Sequence, residues 1–116
     1  MFEVIKEQIS KERVDAWYEA WEALNAEIHQ AHERRDGTAT LLMEQGIELF
    51  QRFIIEGSST TIEQFNENAA YELMPINGNE RFQFIKMKPG QYACYRQLDE
   101  LFKETKKRCA RLRLKK

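Results

Sequence analysis

The chain has two histidines, His29 and His32, three residues apart, with Glu33 next to His32 and Glu22 a turn or two earlier. On one helix an i, i+3 pair shares a side and can reach a single metal ion. The chemistry to weigh is therefore a metal-dependent reaction at His29, His32 and Glu33. The pattern stops short of helical metal centres. The di-iron arrangement requires Glu-x-x-His on two helices, and Ala26 stands three before His29. There is no His-Glu-x-x-His run and no third histidine for a three-histidine site. His29 falls about 110° from the centre of its helix's apolar stripe. Both histidines are expected to be solvated, with no metal and no cofactor.

Other catalytic patterns are equally thin. Asp and Glu are abundant, but paired catalytic carboxylates need an enclosing pocket and perturbed pKa values. Most should instead be solvated partners of Lys and Arg one helical turn away. Serine occurs only at positions 10, 58 and 59. Gly-x-Gly-x-x-Gly, a Walker loop and Gly-x-Ser-x-Gly are all missing. Cys94 and Cys109, if on one helix, lie roughly 22 Å apart, too far to bridge. They are expected to be two small core-facing residues. The expectation is a protein that is not an enzyme.

Charge is distributed very unevenly. Residues 103–116 hold eight bases (Lys103, Lys106, Lys107, Arg108, Arg111, Arg113, Lys115 and Lys116) against one acid, Glu104. The remaining 102 residues hold ten bases against eighteen acids, so a net charge of −1 divides into about −8 and about +7. A basic end can seek phosphate or an acidic protein surface. Sequence-independent nucleic-acid association would rest on Lys106, Lys107, Arg108, Arg111, Arg113, Lys115 and Lys116. At 100° per residue, however, these bases spread over nearly the whole non-core side of a helix, whereas a DNA-reading helix gathers them on one face. The stretch has no aromatic residue on which a base could stack. Cations at a helix C-terminus also complement the macrodipole by about 0.3–1 kcal/mol each. Solvated cap, acidic-protein docking site and phosphate contact all stay open at this point.

The elements that must position these residues are helical. The 116 residues are 42% apolar and 32% charged, with only five Gly and two Pro. That suits one soluble domain over residues 1–116, ending in the basic stretch. Glu3, Lys6 and Glu7 interrupt any signal peptide, and no apolar run approaches the roughly 18 residues that span a membrane. A cytoplasmic location is expected. Phe2, Ile5 and Ile9 read as a short amphipathic turn or two, and Ser10 can cap the next helix. Val14, Trp17, Trp21, Leu24, Ile28 and Ala31 predict that helix to be a long one, ended by Asp36-Gly37.

Thr38 or Thr40 opens a second helix, with Leu42, Met43, Ile47, Leu49, Phe50, Phe53 and Ile54 over about 160° of arc. So apolar a helix is expected to be central. Gly46 lies within that arc, where a Trp ring could pack over the bare backbone. Thr60-Thr61-Ile62-Glu63 fits a capping box for a third helix through Ile62, Phe65, Ala69 and Leu73, stopped by Pro75. Asn77-Gly78-Asn79-Glu80 starts a short helix with Phe82 and Ile85 inward. Pro89 is expected to end it and to take the first position of the last helix. That helix places Cys94, Tyr95, Leu98, Leu101, Phe102, Thr105, Cys109 and Leu112 within about 120°. The fold class is all-α: a compact bundle of four to five helices, with Trp17, Trp21, Phe50, Phe53, Phe65, Leu98 and Phe102 in one core.

The stretch Met74-Pro75-Ile76-Asn77-Gly78-Asn79-Glu80-Arg81-Phe82-Gln83-Phe84-Ile85, followed by Pro89, Tyr92 and Tyr95-Arg96-Gln97-Leu98-Asp99-Glu100-Leu101-Phe102, resembles the C-terminal part of the YpoC-like proteins of Gram-positive bacteria. The resemblance covers roughly the last 45 residues. It implies no catalytic residue. Its members tend to be encoded near DNA replication and repair genes, which favours the nucleic-acid reading without touching any residue. The expected function is a non-catalytic protein-interaction module, with another protein or a second copy as partner. The motive is spare apolar surface at Leu41, Ile55, Tyr71, Phe84 and Leu114. Nucleic-acid association through the basic end is the alternative, and metal chemistry at His29 and His32 comes last.

Overall fold

The computed structural model describes residues 2–58, 60 and 69–115. A 3-10 turn, Lys6–Ile9, precedes four helices: α1 (Lys11–Arg34), α2 (Ala39–Glu56), α3 (Gly78–Met87) and α4 (Tyr92–Leu114). The described residues contain no strand, only two isolated bridges, Phe2 with Tyr71 and Val4 with Ser58. The protein is an all-α bundle.

Local chemistry sets the helix ends. The Ser10 hydroxyl accepts from the Arg13 amide at 3.3 Å, satisfying an orphan donor of the first turn of α1. Arg35 closes α1 at φ 54°, in the left-handed region, donating its amide to the Ala31 carbonyl. The Asp36 carboxylate then accepts from the Thr38 hydroxyl at 2.7 Å, Arg34 Nε at 2.8 Å and the Thr38 amide at 3.1 Å. These contacts turn the chain into α2 and hold the Asp36 carboxyl far below the usual carboxylate range, the Thr38 hydroxyl first among them.

Aromatic rings fill the core. Trp17 stacks on Phe53 at 4.0 Å and on Phe102 at 4.8 Å, and Trp21 lies nearly parallel to Phe102 at 4.2 Å. Phe50 joins Phe102 to Phe82, each at 5.2 Å. Every residue expected in the core is there except Phe65, which lies outside the described residues.

Gly46 carries the expected Trp ring. A Cβ there would stand 2.8 Å from Trp21 Cζ3 and 3.2 Å from Leu98 Cδ2. Trp21 cannot give way easily, since Phe102 holds its face and Asp99 its indole N–H. Gly46→Ala gains about 1 kcal/mol of helix propensity and loses about 1–3 kcal/mol to overpacking. The expected outcome in urea denaturation is a net loss of about 1 kcal/mol. An alanine variant as stable as the native chain would show that the ring shifts freely.

Four expectations need correction. The central element is α4, not α2: α4 packs against α1, α2, α3 and the 3-10 turn. The wide apolar arc of α2 is only partly used, because Leu42, Ile47 and Leu49 remain half-buried. Second, Phe2 and Val4 are extended rather than part of an amphipathic turn. Phe2 donates its amide to Ala70 O at 2.9 Å and accepts from the Glu72 amide at 3.0 Å. Third, Ala69 and Leu73 are not helical, because that backbone is bonded to the N-terminal segment; residues 61–68, with most of the expected third helix and its capping box, lie outside the described residues. Fourth, α4 begins three residues after Pro89, with Gln91 as its N-cap. Pro89 and Gly90 form a turn closed by the Gln91 amide on Lys88 O at 3.1 Å.

Candidate functional site

The two histidines part company in the structure. His29 is exposed and its Nε2 sits 3.2 Å from Glu33 Oε1. His32, expected to be solvated, is half-buried. Tyr92 and Tyr95 from the first turn of α4 close over it, with ring centroids at 5.3 and 5.6 Å. Its Nε2 is enclosed without a hydrogen-bond partner among the described residues. The signal was its position four residues beyond Ile28 on the buried stripe. No group of three or more His, Cys, Asp or Glu among the described residues could hold a metal ion.

Cys94 and Cys109 are buried and free, as expected of core-facing residues. Burial raises both thiols, Cys109 to about 12.

Asp99 is a charged group with no sequence signal, since its neighbours Leu98 and Leu101 mark the stripe. It is 3% exposed. It accepts from Trp21 Nε1 at 3.0 Å and Asn25 Nδ2 at 3.2 Å, and pairs with Lys103 at 3.0 Å. The Tyr95 hydroxyl donates to Asn25 Oδ1. These bonds saturate the carboxylate with structural partners.

The basic end takes part in two groups of contacts, with Arg113 in both. One is a clamp on the N-terminal segment. Arg108 Nε donates to Glu72 O at 2.5 Å, Arg113 Nη1 to Ile9 O at 2.9 Å, and Lys115 Nζ to Glu72 Oε2 at 3.1 Å. Glu72 Oε1 accepts from the Val4 amide at 3.0 Å. Arg108 and Arg113 are only half-exposed. Thr105, Cys109 and Leu112 are buried among them, so one face of the basic end belongs to the core. Lys116 lies outside the described residues, and Arg111 is exposed and takes part in neither group.

The clamp makes a testable contribution to acid stability. The Val4 amide first, then Lys115, hold the Glu72 carboxyl below the ordinary glutamate value of 4.5. Arg81, 3.0 and 2.5 Å from the two oxygens of Glu104, does the same there. A lowered folded value stabilises the native state at pH above the unfolded value. That contribution is lost as pH falls from about 4.5 through the folded value. Thermal scans should show Tm falling through this window, and a Glu72→Gln/Glu104→Gln variant should start lower at neutral pH and fall less. Equal slopes for the two proteins would refute the linkage.

The second group faces a groove of about 520 Å³ between α1 and α4. Lys11, Lys103, Lys106, Lys107 and Arg113 line it, together with Val14, Tyr18 and Ala110. Among the described residues Asp15 is the only carboxylate in the lining, and Lys11 at 2.6 Å chiefly, with Lys106 and Arg113, holds it below the usual range. Lys106 Nζ lies 4.3 Å from the centroid of the Tyr18 ring. The contribution of α1 escaped the reading of the basic end. Its trace is the i, i+4, i+7 spacing of Lys11, Asp15 and Tyr18. A smaller cleft of about 350 Å³ between α1 and α2 lies over Trp17 and Phe53. Arg13, Arg52 and Glu56 give it both charge signs, so it selects no ligand charge.

Comparison with known proteins places these residues in a family context. A family model described as "YpoC-like protein" matches residues 11–116, beyond the C-terminal stretch that carried the resemblance and with both walls of the groove inside it. "Uncharacterized protein YpoC" of Bacillus subtilis (strain 168) is 55% identical over 38 residues, 33% of this chain and 23% of that protein. The match thus spans under a quarter of the relative's length. No solved structure matches.

Proposed function

The chain belongs to the YpoC-like family, and we propose that it is a non-catalytic, cytoplasmic bacterial protein-interaction module that engages its partner through the groove between α1 and α4. One observation carries this reading: five cations and one carboxylate surround an apolar and aromatic floor of Val14, Tyr18 and Ala110. Surfaces of this composition suit an acidic polypeptide, which brings carboxylates for the rim and apolar side chains for the floor. Phosphates would use the rim and leave the floor uncovered. In accord with this, Arg108, Arg113 and Lys115, three of the seven residues of the nucleic-acid alternative, are engaged in the clamp.

The experiment is a titration of the full chain at two salt concentrations with a fluorescent glutamate-rich peptide containing two leucines, and with single-stranded DNA and RNA oligonucleotides. The peptide should bind. A Lys106→Glu/Lys107→Glu variant, with its fold checked by circular dichroism, should bind it at least about tenfold more weakly. Truncation is unsuitable because it would remove Cys109 and Leu112 from the core.

Nucleic-acid association is the second reading, favoured by the exposure of Lys106, Lys107 and Arg111. If four phosphates were engaged, log K would fall with log salt at a slope of about −3.6. Oligonucleotide binding with that slope and no peptide binding would replace the first reading. A second copy as partner stays attached to exposed Leu41, Phe84 and Leu114, which are 64%, 51% and 84% exposed. Tyr71 no longer supports it, being buried against Phe2. Light scattering decides it.

A further inference from the structure

The groove has the length and flanking geometry of a helix position. The α1–α4 pair has two flanks, and α2, which packs against both helices, covers one. Gly46 lies beneath Trp21 and Leu98 on that flank. Lys11, Asp15 and Tyr18 stand roughly 100° round α1 from the Trp17–Trp21 line, on the flank without a covering helix among the described residues. Both walls repeat with helical spacing: 11, 14, 15 and 18 on α1, and 103, 106, 107, 110 and 113 on α4. From Lys103 to Arg113 the wall runs about 15 Å, the length of nearly three helical turns.

Resting on the reading of this groove as a protein-docking site, we propose that its occupant is an acidic amphipathic α-helix of a partner protein. The helix would have about three turns and lie along the α1–α4 seam. Carboxylates one turn apart, spaced by about 5–6 Å, would meet the exposed Lys106 and Lys107 directly, while Lys103, Arg113 and Lys11, which also hold Asp99, Ile9 O and Asp15, add positive potential along the two walls. An apolar side chain from the facing stripe would rest on Tyr18 and Ala110. A helix suits this position because it presents both sets of side chains from one face. An extended segment offers the groove a single row of every second residue, which carboxylates and apolar anchor would have to share, whereas a helix face is wide enough to present both side by side. Charge complementarity selects the acidic helix: Asp15, the only carboxylate in the lining among the described residues, is already paired with Lys11.

The experiment compares three peptides of about 14 residues against the isotopically labelled full chain by NMR. The first has glutamates at i, i+3 and i+4 spacing and leucines on one face. The second has the same sequence except for a central proline, which breaks a helix. The third has glutamine in place of glutamate. The first should shift the Tyr18 ring and Ala110 methyl signals and bind at least about tenfold more tightly than either of the others. Tyr18→Ala should weaken the first peptide while leaving the circular dichroism spectrum unchanged. Equal binding of the first and second peptides would overturn the helical occupant and leave the docking function standing. Binding of none, or of a single-stranded oligonucleotide alone at the same signals, would overturn both.

Discussion

A Trp21→Ala variant is expected to lose about 3–5 kcal/mol of folding stability, the largest effect expected of any single substitution in this core. Trp21 is completely buried. One face stacks on Phe102 at 4.2 Å and 3° between planes, and the ring edge touches Gly46. Its N–H is bound to Asp99. Alanine removes the ring contacts, opens a cavity between α1, α2 and α4, and takes one donor from the buried Asp99 carboxylate, which keeps Asn25 and Lys103. The surrounding rings cannot collapse to fill the space, because Phe102 is also held by Trp17 and Phe50. Domains of this size have about 5–15 kcal/mol in total, so Tm should fall by roughly 10–20 °C. Chemical denaturation measures it directly. A loss below about 1 kcal/mol would mean that the three helices do not meet at this ring.

Asp99→Ala is expected to destabilise the protein by about 2–4 kcal/mol. The Trp21 indole N–H would be left buried without an acceptor, and the Asn25 amide would lose its bond as well. Lys103, 45% exposed, can turn to solvent and adds little to the loss. Asp99→Asn keeps a carbonyl acceptor and should lose about half as much. A double-mutant cycle with Trp21→Phe isolates the shared bond, with an expected coupling of about 0.5–3 kcal/mol. Additive effects in that cycle would show that the indole and the carboxylate do not interact.

Most of the fold was legible because burial on helices leaves a periodic trace. The stripe on α4 was read residue by residue, from Cys94 to Leu112, and all eight residues are buried. Gly46 was legible for the same reason: a glycine within an apolar arc marks a place where a ring can approach. Failures came where a segment satisfies its backbone with distant partners. Phe2, Ile5 and Ile9 look helical by their spacing, but Phe2, Val4 and Ile5 bond to Ala70, Glu72 and Gly57, and no local pattern records those partners.

The candidate site follows the same division. The order of residues alone was enough to read the chain as helical, its acidic body as ending in a basic stretch, and the apolar stripe of α4 as facing inward. These are properties of one element at a time, and the 3.6-residue period reveals them. Only the tertiary structure decided which cations have work already. Arg108, Arg113 and Lys115 hold Glu72 and Ile9 O and Lys103 holds Asp99, whereas Lys106 and Lys107 face Lys11 across a groove that neither helix forms alone. It also decided that His32 is enclosed and Asp99 saturated. The physical reason is that the surroundings of a charge depend on which helix lies opposite and at what register, and that pairing is settled by the packing of all the helices together.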